Sequence, residues 1–253
     1  MEVNVLVLGD SLTYHGPERA EMPDDDRLWP QVTKRVLADA GVQARVDLVA
    51  RLGWTMRDGW WALTKDPRCW GETLPRADAV VIGLGGMDQL PAAIPTYLRE
   101  GIAYVRPGWA RRRIRQAYRI AAPKVMRATG GPFRQLPQSA TDAYLARIVG
   151  GVRYYRGDLP IVLLGPAPYR AQDYPVSHGH AAAVTAARTA ARGLGLEFVD
   201  VDPLVWPSLE DGTANPDGMH WSWRTHEAVG VAAGRSLALA LAESSDHGSE
   251  EFV

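Results

Sequence analysis

Residues 3–13 read VNVLVLGDSLT. Five of the six residues from 3 to 8 are apolar, and the run stops at Gly9-Asp10-Ser11-Leu12-Thr13. A short apolar run closed by a turn signal is the pattern of a strand buried in a parallel sheet. It places Ser11 just past the strand's carboxyl end, where open α/β sheets gather their chemistry. A serine there sits near the start of a following helix, whose free N–H groups favour developing negative charge. Gly9, Asp10 and Ser11 are also common turn formers, so the segment alone fits a plain turn equally well.

The rest of the chain fits a single α/β domain. It has 253 residues, 46% hydrophobic and 23% charged, the balance of an ordinary globular protein. The net charge of −1 gives no reason to expect a nucleic-acid partner. One cysteine, Cys69, excludes an internal disulfide and a cysteine-based metal cluster. No charged leader with an apolar core precedes the first strand, and no apolar run reaches the roughly 18 residues of a membrane span. A cytoplasmic protein without stable membrane insertion is therefore expected.

Alternating patterns predict the elements. Helical spacing runs over 28–40 and closes at Gly41, and 44–50 reads as a second strand ending at Gly53. Thr55 is placed to cap a helix through Leu63. Residues 78–84 (DAVVIGL) form the third strand, which ends at Gly85-Gly86-Met87-Asp88. Strands follow at 161–164 and 196–201, with helices at 178–193 and 222–242. Strands alternating with helices imply a parallel sheet with right-handed crossovers. The expected organisation is one domain over 1–243, with a helical, lid-like insertion over 89–158 and a frayed acidic tail over 244–253.

The insertion carries Arg106, Arg111, Arg112, Arg113, Arg115, Arg119, Lys124 and Arg127 with no acidic residue among them. This is a solvated helix face, or a seat for an anionic ligand, because guanidinium groups clamp carboxylates and phosphates in pairs of hydrogen bonds, or a membrane-surface helix, for which the segment is short and nothing else in the chain speaks. Consecutive residues on a helix point about 100° apart, so Arg111, Arg112 and Arg113 cannot all face one ligand. One or two arginines among 111, 112, 113 and 115 are expected to reach substrate.

A serine nucleophile needs a base, and the base an orienting partner. Of six histidines, His247 falls in the tail, and His178 and His180 open a helix. His15 lies in a loop of unknown course, while His220 stands in Asn215-Pro216-Asp217-Gly218-Met219-His220 just before the last helix. Asp217, three residues upstream, can reach Nδ1 of His220 while Nε2 faces a serine. An Asx-turn at Asp217 with His220 as loop packing is the plainer alternative.

Gly9-Asp10-Ser11-Leu12, Gly53, Gly85-Gly86-Met87-Asp88 and Asp217-Gly218-Met219-His220 come in one order. That order resembles the SGNH, or GDSL, hydrolase family. The resemblance implies a flavodoxin-like three-layer α/β/α fold with a five-stranded parallel sheet and a helical insertion after the third strand. It implies Ser11 as nucleophile, His220 as general base, Asp217 as its orienter, and the N–H groups of Ser11 and Gly53 as oxyanion donors. Neither a cofactor nor a metal is implied. The chain departs from the family at Met87, where an asparagine usually donates to the oxyanion and a thioether cannot. Either another group supplies that donor, or the site is specialised away from general hydrolysis, or it is weak.

The opening GDSLTYHGPE, the block GLGGMDQLP, the arginine-rich insertion and NPDGMHW together resemble a narrower actinobacterial branch of that family. Its members move an octanoyl group from octanoyl-CoA to a glycosylglycerate precursor of methylglucose lipopolysaccharide. The partners so implied are an acyl-CoA donor and a sugar-glycerate acceptor, with a homo-oligomer left open. Substrate contacts are expected from Asp10, Gly86, Met87, Asp88 and Trp221, and from Arg111, Arg112 and Arg115. Tryptophans 54, 60, 61, 109, 221 and 223 are candidates for excluding water from an acyl-serine. The competing readings are a carboxylesterase or carbohydrate deacetylase on the same residues, and a non-catalytic binding module for an anionic glycolipid or acyl-CoA.

Overall fold

The computed structural model describes residues 2–250, with side chains through residue 244. The chain runs β1 (Glu2–Gly9), α1 (Trp29–Asp39), β2 (Gln43–Ala50), α2 (Met56–Lys65), the single turn α3 (Leu74–Arg76) and β3 (Ala79–Gly83). It continues through β4 (Pro91–Ala92), α4 (Thr96–Gly101), α5 (Gly108–Thr129), β5 (Phe133–Arg134) and α6 (Gln138–Tyr155). It closes with β6 (Ile161–Leu164), α7 (His180–Gly193), β7 (Glu197–Val199), α8 (Asp202–Glu210) and α9 (Trp223–Glu250).

Five strands pair in the order β2-β1-β3-β6-β7, and every pairing is parallel. This is the flavodoxin-like arrangement, with the switch point between β1 and β3. Register places the site: Gly9 at the end of β1 pairs with Ala50 on one side and Gly83 on the other. The loops after β1, β2 and β3 therefore leave the sheet side by side.

Alternation along β1 divides the core between two layers. Val3, Val5 and Val7 pack with α1, α8 and α9, while Leu6 and Leu8 pack with α2, α6 and α7. The α1–α9 contact is close because α9 presents Gly230 and Gly234. The Gly230 carbonyl accepts a hydrogen bond from Thr33 Oγ1 at 3.1 Å.

The interval 89–158 is not one insertion. Residues 138–155 are the crossover helix α6, whose Leu145, Ile148, Val149 and Val152 are buried against the sheet. A parallel β3-to-β6 connection needs a helix on that face, and α6 fills the role. The excursion proper is α4 and α5, closed at its base by the antiparallel pairs Pro91–Arg134 and Ala92–Phe133. Of α5, only Ala122 and Met126 are buried. Helix α8 was not read from the sequence, because Pro203 and Pro207 mask it. The tail expected at 244–253 divides into 244–250, whose backbone continues α9, and 251–253, which lie outside the described residues. Among the described residues no helix is long and apolar enough to cross a membrane.

Two glycine substitutions test this packing with opposite expected signs. A Cβ at Gly230 would lie 2.4 Å from Val32 Cβ and 2.7 Å from the Trp29 carbonyl oxygen. Gly230→Ala is expected to destabilise by about 1–3 kcal/mol through overpacking. Exposed Gly150 in α6 has nothing within 4 Å of its Cβ position, and Gly150→Ala is expected to stabilise by about 0.4–1 kcal/mol. Urea unfolding midpoints check both, and shifts of the same sign would contradict the packing described.

Candidate active site

Ser11 opens a short helical turn, Ser11–Thr13, directly after β1. The Asp10 carboxylate caps it, accepting from the Leu12 N–H at 2.9 Å. The N–H groups of Tyr14 and His15 close on the Ser11 carbonyl at 3.2 and 2.8 Å. Gly9 is required by the return of the chain, since a Cβ there would meet Thr13 Oγ1 at 1.9 Å. Ser11 is 6% exposed, so its hydroxyl looks into a cleft rather than into bulk water.

The loop before α9 faces it. Asn215 organises that loop, accepting from the Asp217 N–H at 2.9 Å through Oδ1 and donating through Nδ2 to the Pro17 carbonyl at 2.5 Å. Gly218 has φ +71°, and a Cβ there would strike the Arg170 carbonyl oxygen at 2.2 Å. Asp217 accepts from the Met219 and His220 N–H groups at 2.8 and 3.0 Å, and its other oxygen lies 2.5 Å from His220 Nδ1. Burial would raise the Asp217 carboxyl, but these hydrogen bonds outweigh it and hold the group down to about 2. As an anion, Asp217 can only accept, so Nδ1 of His220 carries the proton. His220 Nε2 then turns its lone pair to Ser11 Oγ, 3.0 Å away. Such an arrangement can draw the proton from the serine hydroxyl.

Two further histidines support this one. The His15 ring stacks on His220 with centroids 3.8 Å apart and planes 22° apart. His15 Nδ1 is 2.6 Å from the Gly16 carbonyl, and the His15 carbonyl accepts from His226 Nε2 at 3.1 Å. His226 Nδ1 in turn accepts from the Trp29 N–H at 3.3 Å. Burial first, then the neighbouring histidines, push His226 down to about 4, and burial also lowers His15. Both shifts favour the neutral rings. His15 was not assigned a role from sequence, because only the fold-back of its loop, bridged from His15 to Ala20, brings it onto His220.

The cleft, about 330 Å³ with its open mouth included, is lined by Ser11, Met87, Leu90, Tyr169, Met219 and His220 among others. Asp10 and Gly86 also line it, and burial pushes the Asp10 carboxyl up to about 7. Gly53, at φ +73°, brings its loop against Met87, whose Cε would be 3.9 Å from a Cβ at residue 53. The thioether supplies no hydrogen-bond donor there.

Several expected contacts lie elsewhere. Asp88 is buried and turned from the cleft, accepting from the Met56 N–H at 3.0 Å and from Thr141 Oγ1 at 2.9 Å. It caps α2, and burial pushes its carboxyl up to about 6. Its neighbour Gln89 bonds the Ala167 carbonyl at 2.8 Å and His180 Nδ1 at 2.7 Å, which anchors the loop that forms the cleft's far wall. Trp221 belongs to the core beneath, and none of the six candidate tryptophans lines the cleft, whose apolar wall comes from methionine, leucine, proline and tyrosine. Arg111, Arg112 and Arg115 also stay out of it. They stand on the unburied first half of α5, where Arg111 donates to the Ala103 carbonyl at 3.2 Å. Arg99 and Arg119 of the excursion line a separate cavity. Among the described residues no cluster of three or more histidine, cysteine or carboxylate groups is placed to hold a metal ion.

A model of the GDSL-like lipase/acylhydrolase family matches residues 7–228 of the chain. The diglucosylglycerate octanoyltransferase of Mycolicibacterium hassiacum is 39% identical over 235 residues, spanning 92% of this chain and 94% of that one. The protein of the same name from Mycobacterium tuberculosis is 38% identical over 92% of both. Among solved structures, a lipase/acylhydrolase from Enterococcus faecalis superposes with a TM-score of 0.60 at 17% identity, covering 93% of this chain and 95% of that one. A carbohydrate acetylesterase family member from Sinorhizobium meliloti gives 0.60 at 17% identity, covering 95% and 99%. At such identities the structural likeness speaks for the fold alone.

The depressed His226 predicts a pH effect of definite sign. Below its ordinary 6.5 the unfolded chain takes up a proton that the folded ring refuses until about 4. Stability contributed by neutral His226 is therefore present above that window and lost as pH falls through it, by about 1.4 kcal/mol per unit of separation. Melting temperatures at several pH values between 7 and 4 should fall less steeply for His226→Gln, which keeps an N–H for the His15 carbonyl. Parallel profiles for the two proteins would contradict this.

Proposed function

The chain belongs to the GDSL-like lipase/acylhydrolase family, and on that premise we propose that it transfers an octanoyl group from octanoyl-CoA to diglucosylglycerate. That the chain is a serine-dependent, acyl-transferring enzyme follows from the family and from relatives 38–39% identical over 92% of the chain. The observation that carries the residue assignment is the hydrogen-bonded line Asp217–His220–Ser11 opening on an apolar cleft.

In the proposed reaction His220 Nε2 takes the Ser11 hydroxyl proton while Oγ attacks the thioester carbonyl. Asp217 stays ionised and stabilises the imidazolium. The tetrahedral oxyanion is held by the N–H groups of Ser11 and Gly53. The C–S bond then breaks, the thiol leaves with the proton from His220, and an octanoyl-serine remains. A sugar hydroxyl gives its proton to His220 and attacks the ester. The acyl group moves to sugar oxygen, and the proton returns to Ser11 Oγ.

Two features support transfer from a thioester over general ester hydrolysis. A missing oxyanion donor is worth roughly 2.7–4 kcal/mol of transition-state stabilisation. A thioester carbonyl is the more electrophilic substrate and tolerates that loss better in the acylation step, so the loss falls on attack at the octanoyl-serine, an oxygen ester, and disfavours general ester hydrolysis. The wall of Leu90, Tyr169, Met87 and Met219 offers an alkyl chain an apolar bed and keeps water from the serine. With an acyl-CoA donor and a sugar-acid acceptor, the proposed reaction belongs in the cytoplasm.

Ser11→Ala is expected to lower turnover at least about 10³-fold with octanoyl-CoA and diglucosylglycerate. Chromatography of the wild-type products should show octanoylated sugar rather than free octanoate. Wild-type turnover in Ser11→Ala would contradict the assignment, and octanoate as the main product in the presence of acceptor would favour an esterase.

A further inference from the structure

A second cavity, of about 750 Å³ with its open mouth, lies between the excursion and the loop at 173–174. Arg99, Tyr118, Arg119, Gln135, Asp173 and Tyr174 give it its polar character. Arg99 and Arg119 have no ion-pair partner among the described residues, although ion pairs are made by many other arginines of the chain. Arg99 is steadied by one N–H on the Gln135 carbonyl at 3.4 Å, and Gln135 is itself buried and bonded to the Pro91 carbonyl at 3.4 Å. Its other N–H groups are free for a ligand. Burial keeps the Tyr174 phenol protonated, a neutral donor beside the guanidinium.

The position of this cavity relative to Ser11 follows from the chain. Pro91 lines it, while the preceding residue, Leu90, lines the catalytic cleft. Tyr174 packs in one small apolar cluster with Leu90, Tyr169, Met87 and Met219, four residues of the cleft wall. The two spaces therefore adjoin at the Leu90–Pro91 segment. The charge of the cavity is two guanidiniums against the one carboxylate of Asp173, a net of one positive charge. That balance suits a monoanion carrying hydroxyls, which Asp173 and Gln135 can accept from. It suits the several phosphate charges of coenzyme A less well.

Resting on the acyl-transfer reading above, we propose that this cavity is the acceptor subsite, in which Arg99 and Arg119 hold the carboxylate of the sugar acid while its hydroxyls extend past Leu90 to the acyl-serine. Paired guanidinium–carboxylate bonds fix orientation as well as affinity, so the subsite would select a sugar acid over a neutral glycoside.

The test is calorimetric and independent of turnover, using Ser11→Ala as parent. The parent should bind diglucosylglycerate more tightly than diglucosylglycerol, in which a hydroxymethyl group replaces the carboxylate. Arg99→Ala and Arg119→Ala, each added to the parent, should weaken diglucosylglycerate ~10- to 100-fold and diglucosylglycerol little. Arg119→Lys should restore part of the loss, and Arg112→Ala, on the exposed flank of α5, should bind like the parent. Equal binding of the sugar acid by all variants would overturn the inference. So would an equal loss with Arg112→Ala, or a loss confined to octanoyl-CoA. If the wild type fails to acylate diglucosylglycerate yet the arginine variants lose its binding, the transfer reading fails and the subsite stands.

Discussion

The register at the carboxyl edge of the sheet is the constraint on which the rest depends. Gly9 ends β1 in pairing with Ala50 and Gly83, so three loops emerge together at the point where the chain reverses its direction across the sheet. One supplies Ser11, one Gly53 and one Met87. A slip of either neighbouring strand by one residue would turn its core-facing side chains to the opposite layer, which the split of β1 between two buried cores forbids. Hydrophobic burial on both faces thus sets the position of a polar site that contributes little to it.

The second half of the site arrives on different physics. His220 is held by a loop of local hydrogen bonds, with Asp217 collecting two backbone N–H groups before it meets the imidazole. The close approach of Gly218 to Arg170 docks that loop. His15 and His226 then brace the ring from the far side in neutral form. Neutral neighbours matter to the proposed reaction, in which an imidazolium would form on His220 as the serine is deprotonated and a fixed positive charge beside it would oppose that step.

Most of the framework was legible because its signals are local: the apolar runs of β1 and β3, the glycines that end them, and Asp217 three residues before His220. What was not legible depends on how distant segments meet. Asp88 follows Met87 directly, yet it points back to cap α2, because a buried carboxylate must be met by donors and the Met56 N–H and the Thr141 hydroxyl supply them. The arginine run at 111–115 drew attention by density, but α5 buries only Ala122 and Met126, so that end of the helix stands clear. Arg99 carried no such signal. It lines a cavity because β4 and β5 pair across the intervening residues 93–132 and fold α4 against Gln135. The tryptophans were candidate walls by type, and the cleft is walled instead by flexible methionines and leucine, which conform more readily to an alkyl chain.

The proposed transfer stands or falls on an acyl-serine at Ser11. Rapid mixing of the wild-type enzyme with octanoyl-CoA in the absence of acceptor tests it most directly. A burst of free coenzyme A close to one equivalent per chain is expected, with the octanoyl group recovered on the peptide containing Ser11. Release of coenzyme A only when diglucosylglycerate is present, with no octanoylated peptide, would contradict it.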